Sequence, residues 1–408
     1  MDKYEKSGKL LERALKVIPG GTGTFSKSIT HYPVGASPLY LVRGHGATVW
    51  DVDGNEYTDF VSGLTAVILG YEDPDVRDAV LYTEPIFSLP HPLEIEVAEI
   101  LCKMIPCAEM VRFGKNGSDA TSAAVRVARA YTGRDHVACC GYHGWQDWNI
   151  GVTARNLGVP SAVKSLIHPF DYNDLDDLHR VFKVFPEQVA CVIMEPMNRE
   201  YPKFEYLNEV EELCKKNHAL FILDEMITGF RFANGGAQEL FHVKPDLACF
   251  GKAIANGYPL SAVVGSAEVM RWFEKIHCSF TYGGECVSLA AAKATLTKIQ
   301  REPVVEKIFH LGVHLKNQMN GMGRSLLLTG HPAWTHLNFG EFKDSEAKKK
   351  IIGQLIKMGF LMIGTHNLTY AHSKEDIDRL VNTYKEILPS LEQLEVEGTW
   401  QNEEFRIR

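Results

Sequence analysis

The chain has 408 residues, 45% hydrophobic and 23% charged, which excludes a mainly disordered or fibrous polypeptide and leaves room for two or three domains with at least one large core. Its 43 basic and 51 acidic side chains give a net charge of −8, with no Lys/Arg block able to track a phosphate backbone, so no nucleic-acid partner is expected. No apolar stretch approaches the ~20 residues that cross a bilayer, the start of the chain lacks a signal-peptide segment, and nine cysteines occur without a Cys-x-x-Cys pair. These features predict no membrane partner, no metal and a reducing, cytoplasmic setting.

Leu10, Leu11, Ala14, Leu15 and Ile18 recur at helical spacing, predicting an amphipathic helix over 9–18 that Pro19-Gly20-Gly21 stops. Segments 39–43, 48–52 and 56–60 read as a small antiparallel sheet, the last two flanking Asp53-Gly54, a dipeptide suited to a tight hairpin. From about residue 90, short apolar runs alternate with helix-length amphipathic segments, the rhythm of an α/β parallel sheet with crossover helices. The clearest strands are 136–140, 189–194, 219–223 and 246–250. They run into Gly141-Tyr142-His143-Gly144, Glu195-Pro196, Asp224-Glu225 and Gly251-Lys252, and ligands of open α/β sheets sit beyond the carboxyl ends of strands. A long helix over 287–300 ends at Glu302-Pro303, after which the composition becomes more mixed. The expected division is 1–60 as an N-terminal helix and sheet belonging to a small domain, 61–300 as a large domain, and 301–408 as a smaller α+β domain. Gly20-Gly21-Thr22-Gly23 is glycine-rich but follows a helix, so a dinucleotide-binding oxidoreductase fails its context test.

Three positions carry chemistry. Asn116-Gly117-Ser118-Asp119 precedes an Ala-rich helical stretch, where free backbone amides and the helix dipole suit a phosphate, or where Ser118 or Asp119 caps the helix. Asp224 ends an apolar strand, so its carboxylate needs a cationic or hydrogen-bonded partner unless it caps the next helix; Glu225 and Glu195 invite the same two readings. Lys252, bracketed by Gly251, Ala253, Ala255 and Gly257, is either a surface lysine or a Schiff-base nucleophile in a tight site. Together these are what pyridoxal 5′-phosphate requires: an amine for its aldehyde, N–H donors for its phosphate, and an anion that keeps its ring nitrogen protonated.

Pro19-Gly20-Gly21, Trp50-Asp51-Val52-Asp53-Gly54-Asn55, Asn116-Gly117-Ser118-Asp119-Ala120, Tyr142-His143-Gly144, Glu195-Pro196, Asp224-Glu225-Met226-Ile227-Thr228-Gly229-Phe230-Arg231 and Gly251-Lys252-Ala253 resemble the class III aminotransferases, most of all their glutamate-1-semialdehyde aminomutase branch. The resemblance spans nearly the whole chain. It implies a fold-type I, aspartate aminotransferase-like homodimer with shared active sites. In it, Lys252 would bind the cofactor aldehyde and shuttle the proton, Asp224 would pair with the ring nitrogen, and Tyr142 and Met226 would cover the two ring faces. Gly117, Ser118 and Asp119 would hold the phosphate, with Thr281 reaching the phosphate of the neighbouring subunit. Glu195 would be a supporting acid and His143 would lie near the ring.

The departures concern substrate. Where the aminomutase carries an arginine for the substrate carboxylate, this chain has Lys27, a point charge without a two-pronged fork, and Leu64 replaces an expected tryptophan. The segment 364–370, where related enzymes place another carboxylate-binding arginine, has none. Single donors and acceptors on Lys27, Ser26, His366 and Asn367 are therefore expected at the substrate. The expected activity is amino transfer from an amino acid to an aldehyde or ketone, sugar-derived or phosphorylated. The alternatives are the internal amino shift of an aminomutase, and a non-catalytic fold-type I binding or regulatory protein.

Overall fold

A computed structural model describes residues 3–322, 327–338 and 345–396. Contacts divide the chain into two compact units, one from the described residues within 1–64, 68–73 and 306–405, the other from 65–67 and 74–305.

In the first unit the N-terminal helix is Glu5–Leu15, set earlier than expected because Ile18 falls outside it while Leu11 and Ala14 supply the buried face. Strands β1 (Leu41–His45), β2 (Thr48–Asp51) and β3 (Glu56–Asp59) form the antiparallel meander. Gly54 takes φ 91° at the turn, and Asp51 Oδ1 accepts the Asp53 and Asn55 amides at 3.0 and 2.8 Å.

The second unit holds β4 (Met110–Gly114), β5 (His136–Cys140), β6 (Ile167–Pro169), β7 (Val189–Met194), β8 (Leu220–Asp224), β9 (Leu247–Phe250) and β10 (Ser261–Gly265). They form one sheet in the order β4-β10-β9-β8-β7-β5-β6. The run from β9 to β6 is parallel, while β10 is antiparallel to both β9 and β4, so the sheet is mostly parallel. The segment 251–260 contains only the turn Lys252–Ala255, too little chain for a crossover helix, so the strand doubles back. The helix Gly117–Thr132 buries Ala120, Ala123, Ala124, Val127 and Ala128, small residues that let it lie close, and Gly133 ends it in the left-handed conformation. All nine cysteines are free thiols of this unit, and burial pushes those of Cys107, Cys139 and Cys191 up to about 12.

Back in the first unit, β11 (Leu327–His331), β12 (Trp334–Asn338) and β14 (Thr365–Asn367) make a three-stranded sheet, while β13 (Phe360–Leu361) adds in parallel to β3. His366 and Asn367, expected at the substrate, are spent on this packing. His366 is fully buried, with Nδ1 2.9 Å from Thr335 Oγ1 and Nε2 2.9 Å from Tyr384 Oη. Asn367 donates to the Val61 carbonyl at 2.7 Å, and its own carbonyl accepts from Ser62 Oγ. Both side chains are thus buried on packing partners within the unit.

The buried histidines make this unit acid-sensitive. Burial lowers His366 to about 3 and His372 to about 4, against about 6.5 for an unfolded histidine. Between those values the unfolded chain takes up protons that the folded unit refuses, so stability held above pH ~6.5 is lost as pH falls toward 3 to 4. The expected loss is on the order of a few kcal/mol, read as a falling urea midpoint from pH 7 to pH 4. A midpoint that stays constant over that range would contradict it. No described helix is long and apolar enough to cross a membrane.

Candidate active site

The carboxyl ends of β5, β7, β8 and β9 share one edge of the second unit's sheet. Asp224, the last residue of β8, is 4% exposed and opposite Cys249 of β9. Its Oδ1 accepts the Met226 amide at 3.1 Å and its Oδ2 lies 2.7 Å from Nδ1 of buried His143. His143 Nε2 is 3.1 Å from the Cys140 carbonyl. A carbonyl only accepts, so Nε2 carries a hydrogen and the Nδ1–Oδ2 contact requires a second proton shared between ring and carboxylate. That proton is the compensation a strand-end carboxylate needs. The ring is held by its backbone, the amide donating to Asn149 Oδ1 at 3.0 Å and the carbonyl accepting from Thr121 Oγ1 at 2.5 Å. Sequence reasoning placed His143 near the ring without this link, and it missed Thr121 and Asn149, whose types are unremarkable at any helix start or loop.

The cradle lies at the N-terminus of Gly117–Thr132. The amides of Gly117 and Ser118 donate to no acceptor among the described residues, and Ser118 Oγ accepts the Trp145 amide at 3.2 Å, leaving its own proton to donate. Asp119 does something else. Its Oδ2 accepts the amides of Lys115 and Asn116 at 3.1 and 2.8 Å, and its own amide donates to the Asn116 carbonyl. It is the helix cap, and a carboxylate so placed does not hold a phosphate, which corrects that expectation.

Gly144 passes beside the cradle at φ 121°, and a Cβ there would sit 2.8 Å from Ser118 Cβ. Gly144→Ala is therefore expected to push Ser118 aside and weaken cofactor binding by at least about tenfold, the cost of one charge-assisted hydrogen bond. Equilibrium dialysis of the cofactor checks this; unchanged affinity would show that the cradle tolerates the shift.

Lys252 follows Gly251 at the end of β9 with φ 47°, half-buried between buried Gly251 and Ala253. A non-glycine residue there is strained, the kind of outlier that clusters at functional sites. A Cβ on Gly251 would meet Met226 Sδ at 2.6 Å and one on Gly117 would meet it at 3.0 Å, so the Met226 thioether packs against both the lysine loop and the cradle. Tyr142 follows Gly141 (φ 104°) and is 45% exposed. The carboxylate of Glu195, at the end of β7, accepts from Asn198 Nδ2 and lies near Gly141. Glu225 points away, fully buried and accepting from Thr228 Oγ1 and from the Ala237 and Gln238 amides, both at 2.8 Å.

One edge thus presents unfilled helix amides with a hydroxyl, a buried carboxylate sharing a proton, and a lysine at a strained turn. This donor set fits pyridoxal 5′-phosphate. Over residues 31–388 the chain matches the family model described as aminotransferase class-III. The chain belongs to the class III aminotransferases. It is 34% identical, over 96% of its length and 99% of the relative's, to the 3-aminobutyryl-CoA aminotransferase of Cloacimonas acidaminovorans (strain Evry). The PLP internal aldimine form of the FumI protein from Sphingopyxis sp. MTA144 superposes with a TM-score of 0.90 at 28% identity, covering 97% of this chain and 98% of that one. A glutamate-1-semialdehyde-aminomutase from Pseudomonas aeruginosa PAO1 shares the fold at 21% identity, with a TM-score of 0.86 over 95% of each chain. The class III aminotransferase described here is a PLP-dependent enzyme of fold-type I.

Of the residues expected around the cofactor, Gly117, Ser118, His143, Asp224, Met226 and Lys252 are linked by the contacts above. Thr281 is exposed in the turn before Glu285, and Lys27 and Ser26 occupy a one-turn helix, Phe25–Lys27, of the first unit, Lys27 being exposed.

Proposed function

We propose that the enzyme moves an amino group between an amino acid and a carbonyl carbon that has no free carboxylate beside it, with a β-amino acyl thioester as the substrate class. The observation that carries this reading is the 34% identity, nearly end to end, to a relative named for 3-aminobutyryl-CoA. Lys27, where the aminomutase has its forked arginine, agrees with it: a substrate whose carboxylate is tied up as a thioester has no flat anion to grip. The sugar-derived or phosphorylated carbonyl expected above draws no support from that relative.

When bound, the cofactor supplies an aldehyde that captures the amino group and a ring that draws electrons from the carbon losing a proton. Lys252 Nζ holds the cofactor at rest and then moves the proton at the amine-bearing carbon. Asp224 keeps a proton at the ring nitrogen, and His143, tethered to the Cys140 carbonyl, fixes that carboxylate in place. Gly117 and Ser118 bind the phosphate, Tyr142 and Met226 cover the ring, and Glu195 supports the turn at Gly141.

The active unit is a homodimer in this reading, with Thr281 completing the partner's phosphate site. Support comes from Leu81, Tyr82, Phe87, Leu89, Ile95 and Tyr282, large apolar side chains left between 52% and 91% exposed in the second unit. A monomer by sedimentation would remove this part. Nine free thiols agree with a cytoplasmic setting.

The deciding assay offers the holoenzyme 3-aminobutyryl-CoA, free 3-aminobutyrate and glutamate-1-semialdehyde in turn, the first two with pyruvate or 2-oxoglutarate as acceptor. Thioester turnover at least about tenfold above the free acid is expected. Faster conversion of glutamate-1-semialdehyde alone to 5-aminolevulinate would instead make the enzyme an aminomutase.

A further inference from the structure

We propose that a cleft along the outer face of the Gly117–Thr132 helix is an anion subsite for the phosphate groups of a phosphorylated small molecule; it deepens the thioester reading and rests on it for the source of those phosphates. The cleft has a volume of about 600 Å³ and is lined by Ser122, Arg126 and Arg129 of the helix, by Gln146, and by His277 and Ser279. Ser122, Arg126 and Arg129 share one helical face, beginning one turn beyond the cofactor cradle, and Gln146 comes two residues after Gly144.

The arginines here are oriented without being neutralised. Arg126 Nη1 donates to the His277 carbonyl at 2.9 Å, Arg129 Nε to the Asp135 carbonyl at 2.8 Å, and Arg112 to the Cys278 carbonyl. The arginine ion pairs of the described residues involve Arg77, Arg180, Arg271, Arg301 and Arg379, none of these three. Asp119, the one carboxylate lining the cleft, turns its Oδ2 to the Lys115 and Asn116 amides. Arg129 Nη2 is buried with no hydrogen-bond acceptor among the described residues. A guanidinium N–H hidden from water without an acceptor is costly, and an incoming anion removes that cost. In a chain of net charge −8, Arg126 and Arg129 in the lining, with Arg112 bonded to the Cys278 carbonyl beside it, form a local positive field. The volume falls within the range of roughly 300 to 1,000 Å³ typical of small-molecule sites, so the ligand has a body as well as a charge.

The test is calorimetric titration of the holoenzyme, its Arg126→Ala and Arg126→Lys variants, and Arg77→Ala as a distant charge control. The probes are coenzyme A, pantetheine and inorganic diphosphate. Coenzyme A affinity is expected to fall about 10- to 100-fold in Arg126→Ala, partly recover in Arg126→Lys, stay unchanged in Arg77→Ala, and weaken with salt. Pantetheine, which lacks phosphate, should not respond to any of them. A matching rise in KM for the coenzyme A thioester, absent for the pantetheine thioester, assigns the phosphates to the substrate. Arg126-dependent diphosphate binding with an unchanged thioester KM assigns the subsite to a free anion. If the thioester proves not to be a substrate while coenzyme A still binds through Arg126, the substrate reading fails and the subsite stands. Coenzyme A and diphosphate binding Arg126→Ala as tightly as the parent overturns the subsite, as does a substitution that alters only the sedimentation of the protein, which would make the cleft a contact between copies.

Discussion

Lys252→Ala is expected to fold as the parent does and to lose transamination by at least about 10⁴-fold. The expectation rests on two duties falling to one atom. In the proposed mechanism Nζ first holds the cofactor and then carries the proton at the reacting carbon, and an alanine does neither. Stability should change little, because alanine meets the same left-handed strain at φ 47° that lysine already bears. Steady-state turnover with the best donor and acceptor pair, beside far-UV circular dichroism, separates the two effects. After borohydride treatment the parent should retain its cofactor on unfolding and the variant should release it. Undiminished turnover in Lys252→Ala would dismiss both the catalytic assignment and the reading of the strand-end segments as one site.

Asp224→Asn is expected to cost between about 10² and 10⁴ in turnover while keeping the shape of the side chain. What goes is the negative charge and, with it, the proton now shared at 2.7 Å with His143 Nδ1. An asparagine amide facing the cofactor's ring nitrogen does not hold that nitrogen protonated, so the ring's pull on electrons weakens at the step that needs it most. His143→Phe should cost less, since the carboxylate survives and loses only the contact that holds it in place. Parental activity in Asp224→Asn would show that Asp224 is a buried structural acid and no more.

The strands bearing these residues were legible because β5, β7, β8 and β9 are buried on both faces and so read as unbroken apolar runs. The reversed direction of β10 was not: Ser261–Gly265 is as apolar as its neighbours, and direction depends on the length of the connection. Asp224 and Lys252 could be singled out by their place at strand ends. The link from Asp224 to His143 spans 81 residues and is closed only when β5 and β8 flank β7. Asp119 could be read as phosphate ligand or cap, and what decided it was the direction of its carboxylate, a matter of geometry. His366 and Asn367 misled because a three-residue strand carries too little pattern to reveal that its partner β12 buries it.

Every cysteine lies from residue 102 to residue 286, and all but Cys102 are buried. With their thiols pushed up by burial, these side chains hardly form the thiolate that alkylating reagents attack. The rate at which such a reagent marks each cysteine therefore counts how often its own stretch of the protein breathes open. Cys139, Cys191 and Cys249, set in three different strands of one sheet, make that sheet its own chronometer, recording the order in which its strands come apart and staying silent about the other unit.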